Sequence, residues 1–186
     1  MEHKKVLKFL KIISFIFIIL SLIEIVIAIL FNFTEFNFES DSIILYEFIY
    51  SADIITLSGT LLWLFLNISM FCFLVFGIFV YRISKNKKIE SRSLAKFIVV
   101  IGMAILMTSF VKMNFLVLLG KTSLSPGSDS IDFQKALYDL DITSLIPALF
   151  WNIFISVNCG FLTLGVIITT IGIKWTLLQE EIENPI

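Results

Sequence analysis

Residues 12–31 read IISFIFIILSLIEIVIAILF, a run of 20 residues in which Glu24 is the only charged side chain. About 20 apolar residues in helical form cross the hydrocarbon core of a bilayer. Three more apolar runs exceed that length, at 54–81, 97–120 and 145–175. The first run lacks the alternation of apolar and polar positions that marks a membrane β-barrel strand. The four runs predict an all-α integral membrane protein, with a four-helix bundle that forms a single membrane domain over residues 1–186.

The composition agrees with a membrane protein and narrows the chemistry. Hydrophobic residues make up 58% of the 186 residues and charged residues only 16%, whereas soluble domains keep about a quarter of their residues charged. Too few polar side chains remain to coat a soluble globule, which argues against a cytosolic enzyme and a nucleic-acid-binding protein. The only histidine is His3, and both cysteines, Cys72 and Cys159, lie in apolar runs. We therefore expect no cofactor, no metal site and no disulfide framework.

Basic residues are distributed unevenly between the two predicted sides of the membrane. With four spans, 11 of the 14 Lys and Arg residues fall on one side, namely Lys4, Lys5, Lys8, Lys11, Arg82, Lys85, Lys87, Lys88, Arg92, Lys96 and Lys174. Such an excess marks the cytoplasmic side. The distribution predicts a multi-pass membrane protein with both its N- and C-termini in the cytoplasm.

Both outer loops carry apolar residues at helical spacing. In the first loop, this pattern follows possible N-caps at Ser40 and Asp41 and comprises Ile44, Leu45, Phe48 and Ile49. In the second loop, it follows Asp129 or Ser130 and comprises Phe133, Ala136, Leu137 and Leu140. We expect two short interfacial helices that lie over the bundle. The alternative is that both segments extend the neighbouring spans.

Two ionisable residues lie inside the predicted spans, where a charge is costly and marks a candidate functional site. Glu24 lies seven positions before the outer end of the first span at Phe31, and Lys112 lies eight positions before that of the third at Gly120. At 1.5 Å per residue, both lie roughly 10–12 Å below the outer edge. Asparagines reach a similar layer, so the candidate intramembrane polar site consists of Glu24, Lys112, Asn152 and Asn114.

Three interpretations of this polar site remain open. In the first, Glu24 and Lys112 form a buried ion pair that fixes the register of the first and third helices. In the second, Lys112 extends to the outer headgroups or pairs with a partner subunit. In the third, Glu24 titrates in a polar cavity with Lys112 as its counter-charge, as in transport or proton chemistry. Nearer the middle of the membrane, Asn67 and Asn158 predict a helix–helix contact through a hydrogen bond, worth about 0.6 kcal/mol on average.

Two basic segments precede the first and third spans, KVLKFLK at residues 5–11 and KIESRSL at residues 88–94. Both resemble the corresponding segments of tetraspanins, and four spans with both ends inside and two outer loops are similar to that family's architecture. The second outer loop of tetraspanins is large and carries a Cys-Cys-Gly motif. Here the loop from Lys121 to Ser144 has 24 residues and no cysteine, so the resemblance implies a reduced relative. It also implies membrane organisation and partner binding rather than catalysis.

Three functions from different classes remain open. The leading hypothesis is a non-catalytic tetraspan protein that organises the membrane or serves as an accessory subunit of a larger membrane complex. Its partners would be membrane lipids and other membrane proteins, or further copies of the chain. The second hypothesis is a small transporter or channel that uses Glu24 and Lys112. The third is an intramembrane enzyme, against which the sequence offers no phosphate loop, nucleophile elbow or pair of catalytic carboxylates.

Overall fold

Long helices dominate the described part of the chain. The computed structural model describes residues 2–38, 41–47, 59–85, 92–124, 131–139 and 145–183. Helix bounds are Glu2–Leu30 for α1, Gly59–Lys85 for α2, Arg92–Gly120 for α3, Phe133–Tyr138 for the short α4 and Leu145–Glu183 for α5. All of these except α4 are long and apolar enough to cross a membrane. The predicted all-α, multi-pass membrane fold is therefore confirmed.

The long helices extend beyond the apolar runs that predict them. α1 begins at Glu2 rather than near 12, α3 begins at Arg92 rather than near 97, and α5 ends at Glu183 rather than near 175. The added residues are rich in Lys, Arg and Glu, which are good helix formers and continue a helix past its apolar part. The predicted start of the second helix at 54 lies outside the described residues. The side of the membrane on which the termini lie stays a prediction.

The chain divides into two compact units, and each long helix contributes a segment to both. The unit that holds both chain ends, here the terminal unit, comprises Met1–Leu22, Met70–Phe110 and Cys159–Ile186. The unit that holds both predicted outer loops, here the loop unit, comprises Ile23–Ser69 and Val111–Asn158. Each unit has its own helix–helix contacts and its own buried core.

Three phenylalanine rings form the centre of the terminal unit. Phe17 of α1, Phe73 of α2 and Phe161 of α5 are fully buried. The ring centroids are 5.8 Å apart for Phe17 and Phe73, 4.9 Å for Phe17 and Phe161, and 4.6 Å for Phe73 and Phe161. A ring pair at such a distance adds about 0.5–1.5 kcal/mol beyond the burial of its area. The cluster holds three helices of this unit together.

Glycines allow α3 and α5 to approach closely in the terminal unit. A Cβ on Gly102 of α3 would lie 2.6 Å from the backbone nitrogen of Thr169. A Cβ on Gly172 of α5 would lie 2.8 Å from the backbone nitrogen of Val99. Small residues at such positions let the backbones of membrane helices come into contact, which gains packing that larger side chains would prevent.

We expect Gly102→Ala to lower the melting temperature of the purified protein and Gly160→Ala to leave it unchanged or raise it. The new Cβ at position 102 would collide with the backbone of Thr169, whereas at position 160 it would meet only the Cδ1 end of the Leu20 side chain at 3.0 Å. Ala favours a helix over Gly by about 0.8–1.0 kcal/mol at both positions, so the pair separates packing from propensity. Thermal unfolding in detergent measures this, and equal effects of the two variants would contradict the close contact.

A β-hairpin lies at the start of the first predicted outer loop. After a 3₁₀ turn at Phe31–Phe33, strand β1 (Glu35–Phe38) pairs antiparallel with strand β2 (Asp41–Ile44). The hairpin continues into Leu45, whose backbone N–H donates to the Thr34 carbonyl at 2.9 Å. Leu45 is fully buried, so backbone pairing and the Leu45 side chain anchor the hairpin in the loop unit.

This hairpin corrects the prediction for the first loop. Asp41 lies in a strand rather than at an N-cap, and helical backbone begins at Leu45. The segment forms a strand because it is rich in aromatic and β-branched residues, which fit the pleated surface of a strand better than the start of a helix. The residues that fit this description are Phe36, Phe38, Ile43 and Ile44. Ser40, Phe48 and Ile49 lie outside the described residues.

The second predicted outer loop contains the expected short helix. Strand β3 (Ser123–Leu124) pairs with strand β4 (Ile131–Asp132), and α4 follows directly. The buried residues of α4 are Phe133, Ala136 and Leu137, which are three members of the predicted apolar face. The Phe133 ring packs edge-on against Trp151 of α5, with centroids 5.3 Å apart. Asp129, Ser130 and Leu140 lie outside the described residues.

Candidate functional site

Glu24 and Lys112 form an ion pair inside the loop unit. Glu24 lies on α1 and Lys112 on α3, and the Lys112 ammonium donates a hydrogen bond to Oε1 of Glu24. Both side chains are 0% exposed. In the described part of the chain, the structure therefore agrees with the first interpretation, a buried ion pair. It does not place Lys112 at a surface, as extension to the outer headgroups would require. The pair links α1 and α3 through two residues that are 88 positions apart in the sequence.

An aromatic ring completes the surroundings of the ammonium. Nζ of Lys112 lies 5.1 Å from the centroid of Phe154 on α5. Phe154 in turn packs against Phe31, with centroids 5.5 Å apart. A cation over a ring face gains about 2 kcal/mol or more when it is desolvated. The ammonium therefore contacts both the carboxylate and the ring, and α1, α3 and α5 meet at this point.

The carboxylate of Glu24 is only half satisfied by hydrogen bonds. Oε1 accepts from Lys112, whereas Oε2 is buried and has no hydrogen-bond partner in the described part of the chain. A carboxylate offers about four acceptor positions, and a buried acceptor without a partner costs about 1–3 kcal/mol. The pair therefore stabilises the bundle by less than an ion pair with complete hydrogen bonding would.

The two asparagines predicted to share this site lie elsewhere on their helices. Asn152 is exposed, and its Oδ1 accepts a hydrogen bond of 2.6 Å from the hydroxyl of Tyr138 on α4. Asn114 is exposed as well. The reason is helix geometry, because two residues correspond to about 200° of rotation. Asn152 is two residues before Phe154 and Asn114 is two residues after Lys112, so each lies on a different face from the residue that contributes to the pair.

The second predicted polar contact, between Asn67 and Asn158, stays a prediction. Asn158 of α5 is fully buried, and Asn67 of α2 is half-buried. Both belong to the loop unit. The burial of Asn158 agrees with a position inside a helix bundle, where amide side chains bond to neighbouring helices.

The sequence pattern alone does not single out the aromatic side of the site. Phe154 is one of many apolar residues in the fourth run, although a signal for its position exists. On α5, Trp151, Phe154 and Asn158 follow one another at spacings of three and four residues, and all three are buried. This spacing marks the face of a helix that packs against its neighbours. Aligning that face with the predicted depth of Lys112 indicates Phe154 as a contact.

Comparison of the chain with protein-family models, curated proteins and solved structures gives no match. Among the described residues, no group of three or more His, Cys, Asp or Glu side chains is placed to hold a metal ion. The interpretation of the site therefore depends on the geometry of the ion pair itself.

Proposed function

We propose that this protein is a non-catalytic membrane protein that associates laterally with other membrane proteins, as a membrane organiser or as an accessory subunit of a larger complex. The observation that carries the proposal is the buried pair of Glu24 and Lys112, in which the two charges contact each other and neither side chain is exposed. A buried pair of this kind sets the register between helices. The same role in membrane organisation is what the resemblance to tetraspanins implies.

Exposed apolar side chains supply a surface for such association. On α2, large exposed apolar residues recur at alternating spacings of three and four, namely Leu61, Leu64, Ile68, Phe71, Val75 and Ile78. This is the heptad spacing with which membrane helices pack in left-handed pairs. A face of this kind contacts either lipid or another helix. In the proposed function, it contacts a helix of a partner protein or of a second copy.

The proposal is tested by cross-linking the protein in its native membrane before purification in a mild detergent. We expect a cross-linked species of fixed stoichiometry with larger membrane proteins or with further copies of the chain. The double variant Glu24→Gln/Lys112→Met is the matched control, and it should give the same species because the pair is internal to the chain. A single uncross-linked, monodisperse species from wild-type membranes would contradict the proposal.

A small transporter or channel is the second candidate, and one observation favours it. Oε2 of Glu24, which lacks a hydrogen-bond partner in the described residues, can accept a proton or a hydrogen bond from a water molecule. Proton flux into vesicles that contain the purified protein would measure this activity. If the wild-type protein shows proton flux and a folded Glu24→Gln/Lys112→Met variant shows none, transport becomes the better-supported function and lateral association does not.

A further inference from the structure

Helices α1 and α2 run antiparallel and in close contact in the terminal unit. A Cβ on Gly77 of α2 would lie 2.9 Å from side-chain atoms of Phe17 and Ile18 on α1. One turn further along α2, the ring of Tyr81 has Nζ of Lys11 at 5.9 Å from its centroid. The contact on α1 moves back from 17–18 to 11 while that on α2 advances from 77 to 81, which establishes the antiparallel order.

This order brings four cations together at one end of the helix pair. Because both helices rise by the same amount per residue, the contact of Gly77 with Phe17 and Ile18 places Tyr81 near the level of residues 13–14 and Lys85 near residues 9–10, between Lys8 and Lys11. Lys8 and Lys11 are neighbours on α1, and Arg82 and Lys85 are neighbours on α2, because each pair has a spacing of three residues. We call Lys8, Lys11, Arg82 and Lys85 the basic seam, and all four side chains are exposed.

Cations outnumber carboxylates among the described side chains of the terminal unit. In the terminal unit, seven Lys and Arg side chains are described and exposed: Lys5, Lys8, Lys11, Arg82, Lys85, Lys96 and Lys174. Glu180 on α5, which is half-buried, is the only carboxylate among the described side chains of that unit. Among the described residues, no member of the seam forms a salt bridge. The seam therefore leaves an anion-binding surface open.

The surroundings of the seam match an anionic amphiphile better than a soluble anion. Tyr81 lies at the seam, as expected for an aromatic residue at the level of lipid headgroups. Large apolar side chains next to the seam are exposed on both helices, namely Phe9, Ile12, Ile78 and Phe79. A phosphate group at the cations would place acyl chains along these residues. Clusters of Lys and Arg at the end of a membrane helix attract anionic lipid headgroups in this way.

We propose that the basic seam of α1 and α2 binds the phosphate headgroup of an anionic phospholipid. Phosphate is the chemistry that the cations recognise, and the exposed apolar residues beside them select a lipid as its source. The site is specific to one helix pair, because the contacts at Gly77 and Tyr81 bring cations from two helices together. Lys96 on α3 and Lys174 on α5 belong to the same unit but lie on other helices.

The test measures binding of phosphatidylglycerol and phosphatidylcholine to the purified chain by native mass spectrometry in detergent. Wild-type protein should retain phosphatidylglycerol and not phosphatidylcholine. The variant Lys11→Gln/Lys85→Gln should bind phosphatidylglycerol roughly 30-fold more weakly, since two cations are lost. The control Lys96→Gln/Lys174→Gln removes the same charge from the same unit and should bind as wild type does. The charge-conserving variant Lys11→Arg/Lys85→Arg should also retain binding.

Three outcomes would overturn the proposal. Equal loss of phosphatidylglycerol by the two Gln variants would show that the net charge of the unit, and not the seam, attracts the lipid. Equal retention of phosphatidylcholine and phosphatidylglycerol by wild-type protein would show no preference for an anion. Displacement of the lipid by glycerol phosphate at the same concentration would show a site for soluble phosphate. A Gln variant that fails to fold is replaced by the single variant Lys85→Gln, for which we expect roughly 5-fold weaker binding.

Discussion

Each single variant, Glu24→Gln or Lys112→Met, is expected to unfold at a lower temperature than the double variant Glu24→Gln/Lys112→Met. Both side chains are fully buried and paired with each other, so either single substitution leaves one charge buried without its counter-charge. Removing one partner of a buried pair costs about 3–5 kcal/mol, whereas replacing both by groups of similar volume is often nearly neutral. Met also keeps a favourable sulfur–aromatic contact with Phe154 in place of the cation. Thermal unfolding in detergent measures all three variants.

An exposed pair on α4 provides the matched control. Nζ of Lys135 lies 3.7 Å from Oδ2 of Asp132, and the two side chains are 78% and 44% exposed. Because an exposed pair is worth at most about 1 kcal/mol, Lys135→Met should change stability little. If the double variant at Glu24 and Lys112 loses the sum of the two single losses, the two residues do not interact. If Lys112→Met is as mild as Lys135→Met, burial adds nothing to the cost.

The sequence is sufficient to predict that Glu24 and Lys112 lie at the same level along their helices, and much less so to predict which way a side chain faces. Counting residues from the ends of the spans gives Glu24 and Lys112 the same depth, and the structure pairs them. The same count adds Asn152 and Asn114, which are exposed. Depth changes by only 3 Å over two residues, whereas direction turns by about 200°. The direction of a side chain around the helix axis decides which side chains meet, and depth does not report that direction.

The loops show the same limit for a different reason. The apolar face of α4 is present in the sequence at helical spacing, and Phe133, Ala136 and Leu137 are buried. In the first loop the segment from Asp41 to Ile44 also fits a helix start, yet it pairs with Glu35–Phe38 as a strand. Pairing between strands depends on a second segment, and strand preference depends on the neighbours that this segment supplies. A pattern within one segment does not contain that information.

Phe73→Ala is expected to destabilise the protein strongly, and Phe71→Ala hardly at all. The two positions lie two residues apart on α2, so the helix, the residue type and the change are matched. Phe73 is 0% exposed and belongs to the cluster with Phe17 and Phe161, whereas Phe71 is 58% exposed. Deleting a buried Phe ring in a protein core costs about 3–5 kcal/mol. The comparison is made by unfolding both variants in detergent and measuring the loss of the helical circular dichroism signal.

The size of the difference depends on the solvent around the helices. In a bilayer or a micelle, the ring of Phe71 contacts apolar solvent before and after unfolding of the bundle, so its removal changes little. The ring of Phe73 is also surrounded by apolar groups after unfolding in a bilayer or micelle, so Phe73→Ala loses no free energy of transfer from water. The remaining loss comes from the contacts with two rings and from the cavity, because association of membrane helices depends on packing. We therefore expect a loss near the lower end of the core range, about 3 kcal/mol. Similar losses for both variants would mean that α2 presents Phe71, and not Phe73 alone, to a neighbouring helix, either within the bundle or in a stable complex with a partner.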